Sequence, residues 1–453
     1  MGLAIIIVHA LPSSRGLSTM RFAIPFVLLA SLGAFAGSFV EAQDDLARPK
    51  WFKGNLHAHS LWSDGDDYPE MVADRYRNRG YHFLVLSEHN VLSQGPRWMS
   101  VAAANKRSGQ DGLAAYRKRF GAEWVETRIE KDDLQVRLKP LGEFRHHLER
   151  AGEFLMIQGE EITDRAEGRQ IHYIATNLQE LIKPQGGKTA REAMDRNLEA
   201  VEEQAKRLGR PILAHHIHPN TGYAMTAEDM ATVVRERYFE VASGHGGVNQ
   251  LGDKTHVGVE RMWDIICTIR IGEMNEAPPR ALAADDSHSF FGKNNSVGRG
   301  WMMVRSRFLT PESIIHAIEA GDFYASTGVT LKELQFSAES KTLELEIEPE
   351  KDAKYTTKFI GTTKGYDAAR EPVKDESGKV LAGVTQRYSK DVGRVLSTVE
   401  GTKATYKLTG EELYVRAVVE SSKAPEKPTY QGQKAQAWTQ PVGWTIATGK
   451  KSK

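Results

Sequence analysis

Tyr81-His82-Phe83-Leu84-Val85-Leu86-Ser87-Glu88-His89-Asn90 sets a run of strand-forming, mostly apolar residues directly before an acid and an imidazole. A short apolar run of this kind reads as a buried strand. The same arrangement recurs. Phe154-Leu155-Met156-Ile157 leads to Glu160-Glu161, and Pro211-Ile212-Leu213-Ala214 leads to His215, His216 and His218. Ala281-Leu282-Ala283-Ala284 leads to Asp285-Asp286-Ser287-His288, while Trp51-Phe52 precedes His57-Ala58-His59. Ile171-His172-Tyr173-Ile174-Ala175, Tyr238-Phe239-Glu240-Val241 and Trp301-Met302-Met303-Val304 are further strand candidates.

Helix patterns lie between these runs, at Ala190–Leu208 and Pro311–Ala320. In the second, Thr310 suits the N-cap, Pro311 the first turn and Gly321 the stop. Strands alternating with helices predict an α/β fold with a mainly parallel sheet. About seven units is close to a barrel count, so residues 50–330 read as a distorted (β/α)7 TIM-like barrel. Residues 91–150 break the rhythm. They are charged and helical in pattern, as at 134–148, and read as an insertion over one end of the barrel.

From about 331 to 448 the pattern changes. Leu343-Glu344-Leu345-Glu346-Ile347 and Tyr414-Val415-Arg416-Ala417-Val418-Val419 alternate strictly, as strands of a β-sandwich-like domain do. All 15 histidines precede this region, so the two parts have different jobs. At the other end, residues 1–43 resemble a signal peptide. Arg21 precedes an apolar run, and Val40-Glu41-Ala42 offers a cleavage site before Gln43-Asp44-Asp45. The expectation is a secreted or periplasmic protein with no stable membrane span after cleavage. Net charge is +1 over 453 residues, so no global field draws in nucleic acid.

Chemistry-bearing residues cluster just past strand ends. In a parallel barrel those ends open on one face, so the separate segments converge. His-x-His alone is a weak signal, but the recurrence makes it informative. The single cysteine, Cys267, rules out thiolate sites and an intrachain disulfide. Imidazole and carboxylate ligands suit Zn, Mn or Fe. The ligands outnumber the four that one tetrahedral ion takes. Two or three divalent metal ions are therefore expected, with a carboxylate bridging them.

These segments also resemble the PHP family (polymerase and histidinol phosphatase). His57-Ala58-His59-Ser60-Leu61-Trp62-Ser63-Asp64-Gly65 is similar to its first motif. Ser87-Glu88-His89-Asn90 is similar to the second, with Glu88 where Asp is usual. Gly159-Glu160-Glu161-Ile162-Thr163 resembles the motif with a bridging glutamate, and His172 a following ligand. Ala214-His215 with His218-Pro219 resembles Ala-His-Pro, and Asp286-Ser287-His288 the closing Asp-x-His. The resemblance covers about residues 51–330. It implies that His57, His59, Glu161 and Asp286 hold one metal. Glu161 would bridge to a second, held by His172 and either His215 or His218. Asp64, His89 and His288 would hold a third.

The implied activity is hydrolysis of a small-molecule phosphoester by metal-activated water. A His or Asp beside the metals can protonate the leaving oxygen, so His245, Asp286 and His288 are the candidate catalytic groups. His245 lies in the flexible turn Gly244-His245-Gly246-Gly247. Two other readings stay open, the first on the same residues and the second with the β domain as the working part. One is an amidohydrolase-type metal hydrolase. The other is an exported metal- or carbohydrate-binding protein without catalysis.

Overall fold

The computed structural model describes residues 48–446. The leader-like segment 1–43 and residues 447–448 lie outside the described residues. Residues 49–446 belong to one compact unit.

Nine strands carry its first part: β1 (Lys50–Asn55), β2 (Phe83–His89), β3 (Leu155–Ala166), β4 (Arg169–Thr176), β5 (Leu213–His216), β6 (Tyr238–Ser243), β7 (Arg280–Ala284), β8 (Trp301–Ser306) and β9 (Phe323–Ser326). They are hydrogen-bonded in the order β7-β6-β5-β4-β3-β2-β1-β8-β9. The fold is mixed α/β around this large central sheet. Past the end of β7, Ser287 bridges in parallel to Ala58, beyond the end of β1. The His59 N–H donates to the Ser287 carbonyl at 2.9 Å. Phe83, Val85, Ile157, Leu213, Leu282 and Met302 form a buried cluster at the centre of this sheet.

The sheet is less uniformly parallel than the alternation of strands and helices suggests. β1–β2, β2–β3, β5–β6 and β6–β7 pair in parallel. β3–β4 and β4–β5 pair antiparallel. The reason is local. Only Glu167 and Gly168 separate β3 from β4, both with positive φ (51° and 75°). That is a two-residue hairpin turn with no room for a crossover helix.

The long helix runs over Ala190–Leu208, its N-cap Thr189 accepting from the Glu192 N–H. The helix Pro311–Ala320 is capped by Thr310 and stopped by Gly321 in the left-handed region. Among the described residues no helix is long and apolar enough to cross a membrane.

The insertion carries helices Val101–Ser108, Gly112–Phe120 and Leu141–Leu148, but part of it is strand rather than the expected helix. Strands 97–100, 133–138 and 127–130 form a small sheet in that order. Residues 133–138 alternate, burying Val136 and Leu138, and the helix begins only after Pro140, at Leu141–Leu148. This unit packs Ala104, Leu113, Tyr116, Val136 and Leu138 against Leu61, Trp62 and Tyr68. It therefore buttresses the segment that follows His59.

The C-terminal residues continue the central sheet. Strand 436–438 pairs with β9, and strands 412–421, 355–363 and 394–400 follow. A separate three-stranded sheet, 331–337, 342–347 and 403–407, shares a core with them. Leu343, Leu345 and Ile347 meet Tyr355, Phe359, Val415 and Ala417 there, so these aromatics are core. Arg416, fully buried, ties this layer to helix Val259–Thr268. Its guanidinium donates to both Asp264 carboxylate oxygens at 2.8 and 2.7 Å, and Tyr414 donates to the same carboxylate at 2.8 Å.

Candidate metal centre

The topology carries residues from five separate segments to one end of the sheet. His57 and His59 flank the Ala58 bridge. The β2–β3 register sets His89 opposite Glu161 and Glu88 opposite Glu160. The hairpin returns His172 opposite Thr163, so an antiparallel strand delivers this histidine to the same end. The fourth segment is His218 and the fifth Asp286–His288.

Three groups result. In the first, His57 Nε2 lies 3.2 Å from Glu161 Oε2 and 3.1 Å from Asp286 Oδ1. His59 Nε2 lies 3.2 and 3.5 Å from the same two oxygens. The second joins His57, Glu161 and His218, with His172 Nδ1 at 2.8 Å from Glu161 Oε1. The third joins His59, Asp64, His89 and His288. There Asp64 Oδ1 is 3.3 Å from His288 Nε2, 3.5 Å from His89 Nε2 and 3.7 Å from His59 Nδ1. Side-chain exposure rises from 0% at His57 to 28% at His89 and 53% at Asp64. The first group is the floor and the third is the mouth.

These contacts are not ordinary pairing. His59 Nε2, His172 Nδ1 and Asp286 Oδ1 are buried and make no hydrogen bond despite the short distances. Buried polar atoms rarely stay unsatisfied. Nitrogen and oxygen donors aimed at common points without bonding one another fit bound cations. The donor set, imidazole and carboxylate without thiolate, suits Zn, Mn or Fe. Glu161 presents its two oxygens to different histidines. Oε2 faces His57 and His59, and Oε1 faces His172 and His89.

Charge is balanced tightly around the floor. Burial pushes the Glu161 carboxyl up, but the imidazoles of His172, His57 and His59 beside it hold it well below the usual range. Asp286 behaves likewise, burial being outweighed by His57 and His59. His59 loses to burial but gains more from Asp286 and Glu161, and stands at about 10. His57 is raised by Asp286 and Glu240 against the same burial. Burial dominates at His218 and lowers it.

Two solved structures are similar to this chain. One is a two-domain protein of Bacteroides vulgatus containing a predicted PHP-like metal-dependent phosphoesterase. It shares 14% identity at a TM-score of 0.36, over 87% of this chain and 96% of that one. The other is a candidate metal-dependent phosphoesterase of Bifidobacterium adolescentis. It shares 12% identity at a TM-score of 0.27, over 54% of this chain and 90% of that one. No protein-family model matches the chain, and no curated protein does.

Of the two histidine registers open after β5, the chain brings His218 into the groups. His218 has a positive φ of 32°, which turns the chain back past the strand end. His215 lies behind the floor, fully buried, with Nε2 3.9 Å from Glu240. It belongs to none of the three groups. His216 packs against Tyr173 at 5.1 Å. Asp286 and His288 sit within the groups. His245 stands outside them, its ring 5.5 Å from that of His288.

Glu240 escapes a reading of the sequence. On β6, it is fully buried and accepts from His57 Nδ1 at 2.7 Å and from the His218 N–H at 3.1 Å. Burial raises its carboxyl, yet His57 and His215 bring it down to about 2. Its one sequence signal is an acid inside the apolar run Tyr238-Phe239-Glu240-Val241. Glu88 belongs to none of the three groups. It accepts from Ser60 Oγ and Ser63 Oγ, both at 2.5 Å, and pins the loop carrying Asp64. Arg107 of the insertion holds the same loop through the Ser63 and Gly65 carbonyls. A side chain at Gly65 would strike the His59 carbonyl at 2.6 Å, so glycine is required for this close approach. Thr163 Oγ1 lies 2.6 Å from His89 Nδ1 and fixes that ring.

Proposed function

We propose that these groups hold two or three divalent metal ions, Zn, Mn or Fe, and that the protein hydrolyses small phosphoesters. The observation carrying this is the convergence of His57, His59, Glu161 and Asp286 with buried donor atoms left unpaired. Bound there, divalent ions supply Lewis acidity, charge neutralisation and a nucleophile drawn from water.

The chain's own residues do the rest. Glu161 would bridge two ions, where an amidohydrolase-type site would use a carbamylated lysine. His57, His59 and Asp286 would complete the first site, His172 and His218 the second, and Asp64, His89 and His288 the third. Glu240 and Thr163 orient His57 and His89, the role that supporting partners play behind metal ligands. His245 borders the open third group. Its Nδ1 accepts the Gly247 N–H at 3.1 Å, which leaves the proton of a neutral ring on Nε2. That nitrogen is the group we assign to protonate the leaving oxygen.

The same reading takes β1–β7 as a distorted barrel, supported by the Ala58–Ser287 bridge, and residues 331–448 as a β-sandwich-like domain. It places the protein outside the cytoplasm, on the strength of the leader-like sequence 1–43. The test is protein loaded with Mn or Zn and assayed on a phosphomonoester and a phosphodiester. Turnover of either supports the proposal. No turnover of both, with metal bound, overturns it.

A further inference from the structure

We propose that a second cleft, between β1, β8 and the segment 424–426, binds a small oxyanion with Lys53 and Arg79 as its receptors. The cleft encloses about 720 Å³. Lys53, Arg79, Tyr81, Trp301, Glu350 and Glu426 are among its lining residues. It is separate from the metal centre. Lys53 lies within β1, whereas the metal-site residues lie beyond that strand's C-terminal end.

Lys53 is an unusual residue for a merely structural role. It sits on β1 between Phe52, which enters the core, and Gly54, whose Cβ position is filled by the Phe83 ring. Its Nζ lies 4.2 Å from the Tyr81 ring centroid and 4.0 Å from that of Trp301. Those faces attract the ammonium, but they do not accept its hydrogens as an oxygen would. Among the described residues no oxygen is hydrogen-bonded to this nitrogen, although an ammonium has three donors. Burial pulls the amine down to about 8; Asp285 and Glu426 oppose that fall and Arg79 adds to it.

Arg79 shows what the cleft takes. Both terminal nitrogens of its guanidinium reach one oxygen of Glu426 at 3.2 Å. The Glu426 side chain is 71% exposed, so it is held loosely and can swing into solvent. A carboxylate of the chain thus already occupies one of the two cations. Glu350 is paired with Lys423 at 3.8 Å. An incoming carboxylate or phosphate would give Lys53 the acceptor it lacks. It would also replace Glu426 on Arg79, with Tyr81 and Trp301 as apolar walls.

The experiment uses the intact protein and reads Lys53 itself. The amine is acetylated with an N-hydroxysuccinimide ester in a non-nucleophilic buffer, and the Lys53 peptide is followed by mass spectrometry. Sodium phosphate and sodium acetate are the two probes, with sodium chloride matched for ionic strength. A bound anion shields the amine by the factor 1 + [L]/Kd, about tenfold at ten times Kd. Selective protection of Lys53 by phosphate, acetate or both supports the site and separates the two sources. Arg79→Met should then weaken that protection. Equal labelling in phosphate, acetate and chloride overturns the proposal. Metal-site activity does not enter this readout, so its failure is distinct from a failure of the proposed hydrolysis.

Discussion

Glu240→Gln is the perturbation that isolates a group outside the metal-binding clusters. The carboxylate accepts at both oxygens, from His57 Nδ1 at 2.7 Å and from the His218 N–H at 3.1 Å. Gln keeps the volume and one acceptor. Its amide nitrogen must then face either the His57 ring or the His218 N–H, donor against donor. A buried donor left unsatisfied costs about 1–3 kcal/mol. The second loss is the negative charge behind His57, which steadies the ring that faces both the first and second groups. Removing such a partner weakens metal binding by about 10–100-fold, which is about 1.4–2.7 kcal/mol. The assay is competition for Zn or Mn against a chelating dye, beside a thermal melt of the metal-free protein. The expected result is a dissociation constant raised by that factor. A melt shifted downward with metal affinity unchanged would make Glu240 a packing residue and refute its orienting role.

Three further outcomes follow from the same structure. Arg416→Met leaves the buried Asp264 charge without its cation, only the Tyr414 hydroxyl still donating to it, so stability should fall by about 3–5 kcal/mol. A denaturant titration checks this, and Arg416→Met with Asp264→Leu should recover part of the loss. Glu160 is pushed up to about 8 by burial, against one hydrogen bond from the Ile182 N–H. A raised carboxyl costs nothing below its unfolded value near 4.5, and the cost grows until pH passes 8. Glu160→Gln should therefore raise the melting temperature more at pH 8.5 than at pH 5. Finally, His59 stands at about 10 in the metal-free chain, so it is protonated at pH 7. Metal loading must expel that proton. Calorimetry in buffers of different ionisation enthalpy should show proton release, and affinity should fall as pH is lowered.

Many of the strands and helix termini are legible because their signals are local. The cap at Thr310, the stop at Gly321 and the apolar run 83–86 each depend on a few neighbouring residues. Antiparallel pairing of β3 with β4 was not read, because the signal is only the two residues Glu167-Gly168. Residues 134–138 read as helix in the sequence because charges mask a two-residue alternation. The histidine-rich segment stayed undecided for a different reason. Whether His215 or His218 faces the metals depends on where β5 ends and on a positive φ at His218, neither visible in the spelling. Glu240 was missed because an acid in an apolar strand looks like a core position until its partners, 183 and 22 residues away, are in view.

The most direct measurement is the metal content per chain, by elemental analysis, of the purified protein and of Glu161→Gln. With Glu161 placed between two groups of histidines, the native chain should hold two or three ions. The variant should lose more than one. A native content of one or none, or a variant with its full complement, would contradict a multinuclear centre bridged by Glu161.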